Sequence, residues 1–319
     1  MRVLLDVDCG IDDALAILLA VASPECELAA VTTVCGNTDV EGATRNAAGV
    51  LGLALAGDVE TGAVLSKKVP ILARGAEAPL TGAWRRAAEF HGPDGLAGLS
   101  AELVGRGVET CGLAADELIV RQARERGLHI VTTGPLTNLA LALRKEPGLP
   151  RMVESVTVMG GAYTVGGNET ADAEYNMWVD PVAAGHVFAA GFNLTAVGLD
   201  VSMKTRLGKE DLPARPVGPG RSVRPMAVLA RRLAVYYMSR EAAQTGAQGA
   251  YLHDPLALGV AVGLATVTKS ARGAVTVDTE GECKGRTLMG EYPDAPTEIC
   301  LGVDSEAFVG LFRDRVLAP

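Results

Sequence analysis

Short apolar runs alternate with longer helical patterns through most of the chain. Residues 3–5 form an apolar run that ends in acidic residues, which is typical of a buried parallel strand. Asp12 and Asp13 then stand where a helix through Ala22 would begin, and carboxylates favour the positive end of a helix dipole. The same alternation predicts strands at 28–34, 129–133, 156–159 and 194–198, and helices at 41–56, 113–126, 136–144 and 180–190. We therefore predict an α/β fold, an open, mostly parallel twisted sheet with helices on both faces.

The alternation breaks near residue 206. Residues 206–225 predict a loop because they contain Pro213, Pro216, Pro219 and Pro225. A helix at 225–244 follows, so we predict a helical insertion near residues 206–250. Strand-like runs at 274–277 and 298–301 and a closing helix from Ser305 complete the chain. Since no internal repeat or linker is evident, residues 1–319 are predicted to form a single domain.

Composition narrows the functional classes. The chain has 48% hydrophobic residues, enough for a large core, and its net charge of −9 disfavours nucleic acid as a partner. The six cysteines form no CxxC pair and are too sparse for a disulfide framework, so a reducing compartment is indicated. The start of the chain carries no secretion signal, and the apolar run at 14–22 is too short to span a bilayer. We expect a soluble, cytoplasmic protein with no membrane partner.

Polar residues cluster where the predicted strands end. Asp6 and Asp8 follow the first strand, Asn37 follows the second, and residues 133–135 and 159–161 follow two others. In open α/β sheets the ligand site lies outside the carboxyl ends of the strands. We therefore expect these residues to face one crevice.

The sharpest signal is the segment 6–13, DVDCGIDD, which puts four carboxylates in eight residues. Carboxylates this close repel one another, and a hard divalent cation with oxygen ligands, Ca²⁺ or Mg²⁺, is the simplest compensation. A solvated acidic turn is the alternative. It accounts for Asp12 and Asp13 as charges at a helix start, but not for two acids directly after a buried strand.

Three further segments contain residues that could take part in catalysis or in ligand binding. His253 and Asp254 precede an apolar helix at 255–262, where Asp254 could equally be an ordinary N-cap. His91 lies in the turn-rich segment 90–96, which could cover a site. The segment 174–176, Glu-Tyr-Asn, could hold sugar hydroxyls or simply satisfy loop backbone.

Taken together, these segments resemble the inosine-uridine-preferring nucleoside hydrolases, also called nucleoside N-ribohydrolases. The family signature DxDPGxDDA reads DVDCGIDDA at residues 6–14. Cys9 stands where the family usually has Pro, and we expect the turn to survive with a buried, inert cysteine. Shorter matches follow in family order over roughly residues 2–265, namely Gly36-Asn37, His91-Gly92, Asp94 to Leu96, Thr133 to Asn138, Val158 to Gly161, Gly167-Asn168, Ala173 to Asn176, Val179 to Pro181, Gly198 to Asp200 and His253 to Pro255.

The resemblance implies hydrolysis of the N-glycosidic bond of ribonucleosides, which gives free base and ribose. Asp8 would be the general base on a metal-bound water, and His253 would be the acid for the leaving base. The implied calcium ligands are Asp8, Asp13, Asp254 and the backbone carbonyl of Thr133.

The resemblance also implies how the substrate is held. His91 would line the base pocket and Met159 would lie beside the sugar. The ribose hydroxyls would be bound by Asp12, Asn37, Asn168, Glu174, Asn176 and Asp254. Asn37 would act in catalysis as well, since amide oxygens near the sugar stabilise developing positive charge. Family precedent further implies a homodimer or homotetramer.

Two other interpretations stay open on the sequence. Asp6 and Asp8 after a strand also resemble the start of a haloacid-dehalogenase-like phosphatase, although that family has Thr or Val where Gly10 stands and lacks the Asp12-Asp13 pair. A non-catalytic nucleoside-binding protein is the second, and the competent side chains at the matched positions argue against it. A dinucleotide-dependent dehydrogenase is disfavoured because the first strand-to-helix turn has no GxGxxG and its acids would repel a pyrophosphate.

Overall fold

A nine-stranded sheet forms the centre of the protein. The structure is a computed structural model that describes residues 1–60, 68–212, 224–291, 295 and 297–318. The strands of the central sheet are β1 (Arg2–Val7), β2 (Glu27–Thr33), β3 (Ile71–Arg74), β4 (Leu128–Thr132), β5 (Ser155–Met159), β6 (Leu194–Val197), β9 (Val267–Val277), β10 (Thr287–Glu291) and β11 (Thr297–Val303). A separate two-stranded sheet pairs β7 (Arg206–Leu207) with β8 (Ala250–Tyr251).

The sheet is parallel over most of its width. Its strands follow the order β10-β9-β11-β6-β5-β4-β1-β2-β3. Every pairing from β11 to β3 is parallel, while β9 runs antiparallel to both of its neighbours. The predicted fold class is therefore confirmed. The sequence did not predict β3 and β10, and β9 begins earlier than the predicted run at 274–277, because its first half is polar and largely exposed.

Helices cover both faces of the sheet, as predicted. The helices are α1 (Ile11–Ala22), α2 (Val40–Glu60), α3 (Ala88–His91), α4 (Ala115–Ala123), α5 (Thr137–Lys145), α6 (Tyr175–Val179), α7 (Pro181–Ala189), α8 (Leu199–Ser202), α9 (Pro225–Gln244), α10 (His253–Ala261) and α11 (Ser305–Phe312). One apolar cluster joins α1, α2, α9, α10 and α11, and a second joins α4, α5 and α7 on the opposite face.

Helix α1 is enclosed by its neighbours, and this fixes the start of the acidic segment. All of its residues except Ala22 are buried, because the sequence is apolar on every side beyond its first turn. The helix begins after Gly10, whose backbone N–H donates to Asp13 Oδ2 at 2.8 Å. Asp12 and Asp13 therefore occupy a buried first turn, with no solvated acidic turn around them.

The predicted helical insertion contains α9, whose bounds match the predicted helix at 225–244. This helix packs against α1 and α2. The loop predicted at 206–225 falls partly at 213–223, outside the described residues; its first part contains β7 and a 3-10 turn at Lys209–Asp211. Within the described parts of the chain, no helix combines the length and apolar character needed to cross a bilayer.

Candidate active site

A cavity of about 310 Å³ opens where the parallel strands end. Asp8 follows β1, Asn37 follows β2, Thr133 follows β4, and Met159 ends β5. Ten of the residues that the sequence proposed for the site line this cavity: Asp12, Asn37, His91, Thr133, Met159, Asn168, Glu174, Asn176, His253 and Asp254. The remaining two, Asp8 and Asp13, are fully buried beneath it and accept hydrogen bonds from the lining residues Asn37 and Thr133. The structure therefore brings together all twelve predicted site residues from segments far apart in the chain.

Buried carboxylates form the floor of the cavity. Oxygens of Asp12, Asp13 and Asp254 lie within 4.8 Å of one another. Asp8 joins this group through Asn37, whose Nδ2 donates to Asp8 Oδ1 at 3.0 Å and to Asp13 Oδ2 at 3.3 Å. Burial, followed by the charge of the neighbouring carboxylates, raises the pKa values of Asp8, Asp12 and Asp254 well above their ordinary range.

These carboxylates fit a hard divalent cation. The buried Asp12 Oδ1 accepts no hydrogen bond from the described part of the chain, so it has the vacant electron pair that a ligand needs. Every donor atom at the floor is an oxygen, which is the ligand type that Ca²⁺ and Mg²⁺ take. A cation would also offset the repulsion that raises the pKa values of these acids.

The turn between β1 and α1 has a strained backbone at Cys9. Its φ is +32°, a conformation that a non-glycine residue seldom adopts and that costs about 1–3 kcal/mol. A proline ring fixes φ near −65°, so the residue that the family usually has could not adopt this conformation. Cys9 is fully buried, as expected, and burial, followed by the charge of Asp13, raises the pKa of its thiol.

Asn37 fixes both oxygens of Asp8. Its backbone N–H donates to Asp8 Oδ2 at 2.7 Å, and its side-chain Nδ2 donates to Asp8 Oδ1 at 3.0 Å. Gly36 allows this approach, because a Cβ on that residue would overlap Asp8 Oδ2. The carboxylate proposed as general base is thus held from the β2 side of the site.

The Thr133 and Asn176 side chains hold neighbouring polar groups. The Thr133 hydroxyl donates to Asp13 Oδ1 at 2.6 Å. The Thr133 carbonyl, the proposed backbone ligand, accepts from Asn176 Nδ2 at 2.8 Å, and a carbonyl oxygen retains a second lone pair. Asn176 therefore orients this carbonyl as well as lining the cavity.

Glu174 and Asn168 also line the cavity. Glu174 caps α6, and its two carboxylate oxygens accept from the backbone N–H groups of Gly161, Asn176 and Met177. Burial raises the pKa of Glu174. Asn168 is exposed, and its Oδ1 accepts from the Tyr175 N–H at 3.0 Å. Asn168 is thus the one predicted site residue that solvent reaches freely.

Both histidines of the site are neutral near pH 7. His91 Nδ1 accepts from the Ile11 N–H at 3.1 Å, and burial, followed by the charge of His253, lowers the pKa of His91 to about 3. Burial lowers the pKa of His253 to about 4. His253 Nδ1 pairs with Ser202 Oγ at 2.8 Å, which leaves Nε2 for the cavity. The neutral His91 ring, whose Nδ1 accepts, therefore carries its proton on Nε2, and His253 does the same in the tautomer in which Ser202 donates to Nδ1.

The interpretation of Asp254 as an N-cap is wrong. Helix α10 begins at His253, its N-cap is Leu252, and Asp254 lies inside the first turn. The observed helix therefore starts two residues earlier than the helix predicted at 255–262. This start brings the Asp254 carboxylate to the other acids at the positive end of α10.

Helix α9 supplies cavity residues that the sequence did not reveal. Tyr237 and Glu241 line the cavity from this helix, Thr245 from the residue after its end, and Tyr251 from β8. Burial raises the pKa of Glu241 to about 7, and the Thr245 hydroxyl donates to Glu241 Oε2 at 3.4 Å. No motif marks these residues, because only the packing of α9 beside α1 brings them to the site.

The chain is similar to known nucleoside hydrolases in sequence and in fold. The family model described as inosine-uridine preferring nucleoside hydrolase matches residues 3–310. Uridine nucleosidase 1 of Arabidopsis thaliana is 34% identical, over 100% of this chain and 94% of its own length. The pyrimidine-specific ribonucleoside hydrolase RihA of Escherichia coli is also 34% identical, over 99% of this chain and 98% of its own length. The solved structure of a plant nucleoside hydrolase superposes with a TM-score of 0.86 at 29% identity and covers 100% of this chain and 99% of its own.

Proposed function

The chain belongs to the inosine-uridine preferring nucleoside hydrolase family, and from that premise we propose how its cavity carries out the reaction. As a member of this family, the protein is an enzyme that hydrolyses ribonucleosides. Family membership therefore decides against the haloacid-dehalogenase-like phosphatase and against the non-catalytic nucleoside-binding protein. The observation that carries the mechanism is the buried group of Asp12, Asp13 and Asp254 at the floor of the cavity.

The metal that we propose is calcium, held by Asp8, Asp13, Asp254 and the backbone carbonyl of Thr133. The support is the all-oxygen donor set and the close packing of buried acids, which a cation would compensate. Asp12 would remain for the ribose, and its unpartnered Oδ1 can accept from a sugar hydroxyl or bind the cation. A bound calcium would supply positive charge that makes a coordinated water more acidic.

Asp8 is the general base of the proposed reaction. It accepts a proton from the attacking water while the water oxygen bonds to C1′ of the ribose and the bond from C1′ to the base breaks. The two hydrogen bonds from Asn37 hold the carboxylate in one orientation. Positive charge develops on the sugar in the transition state, and the surrounding acids and amide oxygens stabilise it.

His253 assists departure of the base. Its ring is neutral in the free protein, and its cavity-facing nitrogen can hydrogen-bond the base as negative charge develops there. The growing negative charge also favours the imidazolium form of the ring, which can pass its proton to the base and return to the neutral form. In the proposed complex His91 also binds the base, with Met159 beside the sugar and Asn168, Glu174 and Asn176 around the ribose.

The proposed substrates are pyrimidine ribonucleosides, with uridine first. The support is that two relatives covering nearly all of this chain are named for uridine or pyrimidine specificity. We also propose that the enzyme is cytoplasmic and forms a homodimer or homotetramer, which the mass by light scattering would test.

A panel of uridine, cytidine, inosine and adenosine tests the substrate class, with free ribose as the readout. We expect uridine to give the highest kcat/KM and a chelator to abolish turnover on all four. Inosine turnover well above that of uridine would overturn the pyrimidine assignment and leave ribonucleoside hydrolysis in place.

Asp13→Ala tests the metal site. Without the Asp13 carboxylate the site lacks one of its proposed calcium ligands. The variant should therefore lose both its activity and its bound calcium, which elemental analysis measures. Asp116→Ala is the matched control, because Asp116 is a buried acid on α4 that pairs with Lys145. Full calcium content in Asp13→Ala would contradict the ligand set.

Asp8→Asn separates the base from the metal ligand. The amide cannot take a proton but keeps an oxygen at the same place, so kcat should fall by about 10²–10⁴ with a much smaller change in KM. Steady-state kinetics on uridine measures both. Near-normal kcat at saturating uridine would remove Asp8 as the base.

His253→Ala tests the leaving-group role. Uracil, the leaving base of uridine, departs poorly without a proton, whereas p-nitrophenyl riboside has a leaving group that needs none. We expect uridine hydrolysis to fall by roughly 10² or more while p-nitrophenyl riboside is nearly unaffected. Equal losses on the two substrates would mean that His253 only supports the start of α10.

A further inference from the structure

Two segments share an unusual feature. One is the turn from Asp8 to Asp13, called here the acidic turn, and the other is the segment 91–98, which carries His91. Among the described residues, Cys9 and Ala97 are the two non-glycine residues with positive φ, at +32° and +58°. Cys9 lies inside the acidic turn, and the Ala97 N–H donates to the His91 carbonyl at 2.8 Å. Such conformations persist where surrounding contacts hold them, so both segments need external support.

One buried side chain, Asn46 of α2, contacts both segments. It is 1% exposed, and its Nδ2 donates to the Cys9 carbonyl at 3.2 Å and to the Asp94 carbonyl at 2.9 Å. Its Oδ1 accepts from the Ser100 hydroxyl at 2.7 Å. The amide group of Asn46 is therefore fully engaged between the acidic turn and the segment 94–100.

The segment 94–100 is itself ordered around Asp94. The carboxylate of Asp94 accepts from the backbone N–H groups of Leu96, Gly98 and Ser100. A second direct link joins this region to the turn, since the Ile11 N–H donates to His91 Nδ1 at 3.1 Å. The His91 ring is thus held by a hydrogen bond from the acidic turn, and the His91 backbone is held by the segment that Asn46 binds.

We propose that Asn46 is a positioning residue for the hydrolase reaction, one that holds the Asp8–Asp13 turn and the His91 segment in fixed register. The inference rests on the proposed function, because His91 and the acids must act on one substrate. A misplacement of about 1 Å between such groups can reduce turnover by roughly 10²-fold, even though Asn46 itself does not line the cavity.

Asn46→Asp is the test variant, since it keeps the shape and the oxygen that accepts from Ser100 but loses the N–H donors to both carbonyls. Hydrogen exchange measured by mass spectrometry should rise in residues 9–12 and in residues 91–98 together. Ser100→Ala is the matched control, and any rise in exchange there should be confined to residues 96–100. Should Asn46→Asp fail to fold, Asn46→Leu replaces it; this variant also removes the acceptor for Ser100, a loss that the Ser100→Ala control measures by itself.

A double-mutant cycle with His91→Ala adds a kinetic readout. On the best nucleoside of the panel, Asn46→Asp and His91→Ala should each lower kcat/KM by about tenfold or more, and the double variant should be within roughly threefold of the worse single one. A purely structural role would give multiplicative losses instead.

Three results would overturn the proposal: multiplicative losses in the cycle, faster exchange in only one of the two segments, or Ser100→Ala as damaging as Asn46→Asp. Failure of the proposed function is distinguishable, because the wild-type enzyme would then release no ribose while the exchange experiment would still report on the register.

Discussion

Four buried carboxylates at one edge of the sheet impose the constraint on which the rest of the site depends. Asp8, Asp12, Asp13 and Asp254 lie together under the cavity, where burial and mutual repulsion disfavour their charged forms. Neutral groups donate hydrogen bonds to these carboxylates, namely the Gly10 backbone N–H and the side chains of Asn37 and Thr133. In the proposed account a calcium ion supplies the missing positive charge, and the same charge prepares water for attack.

The fold makes this concentration of charge possible. Parallel strands present their carboxyl ends at one edge, so that residues after β1, β2 and β4 converge there. Asp12 and Asp13 occupy the first turn of α1, and Asp254 occupies the first turn of α10. Two helix N-termini therefore direct their positive dipole ends at the acids, which lowers part of the cost of burying them.

The sequence predicted most of the central sheet because each buried strand there is a compact apolar run beside a helical pattern. It also predicted which segments meet, since strand ends converge by topology. It did not predict β3 and β10, which are short edge strands, or the early start of α10. Tyr237 and Glu241 could not be found in advance, because they reach the cavity only through the packing of α9 beside α1, and nothing local to α9 marks that contact.

The central claim is that a cation neutralises the buried acids, and calorimetric titration of the metal-free enzyme with calcium tests it most directly. Titrations at about pH 6 in buffers of different ionisation enthalpy count the protons released per calcium bound. Because burial and mutual repulsion raise the pKa values of these carboxyls and a cation favours their charged forms, the account predicts saturable calcium binding with release of protons. Absence of binding at millimolar calcium, or binding with no proton released, would contradict it.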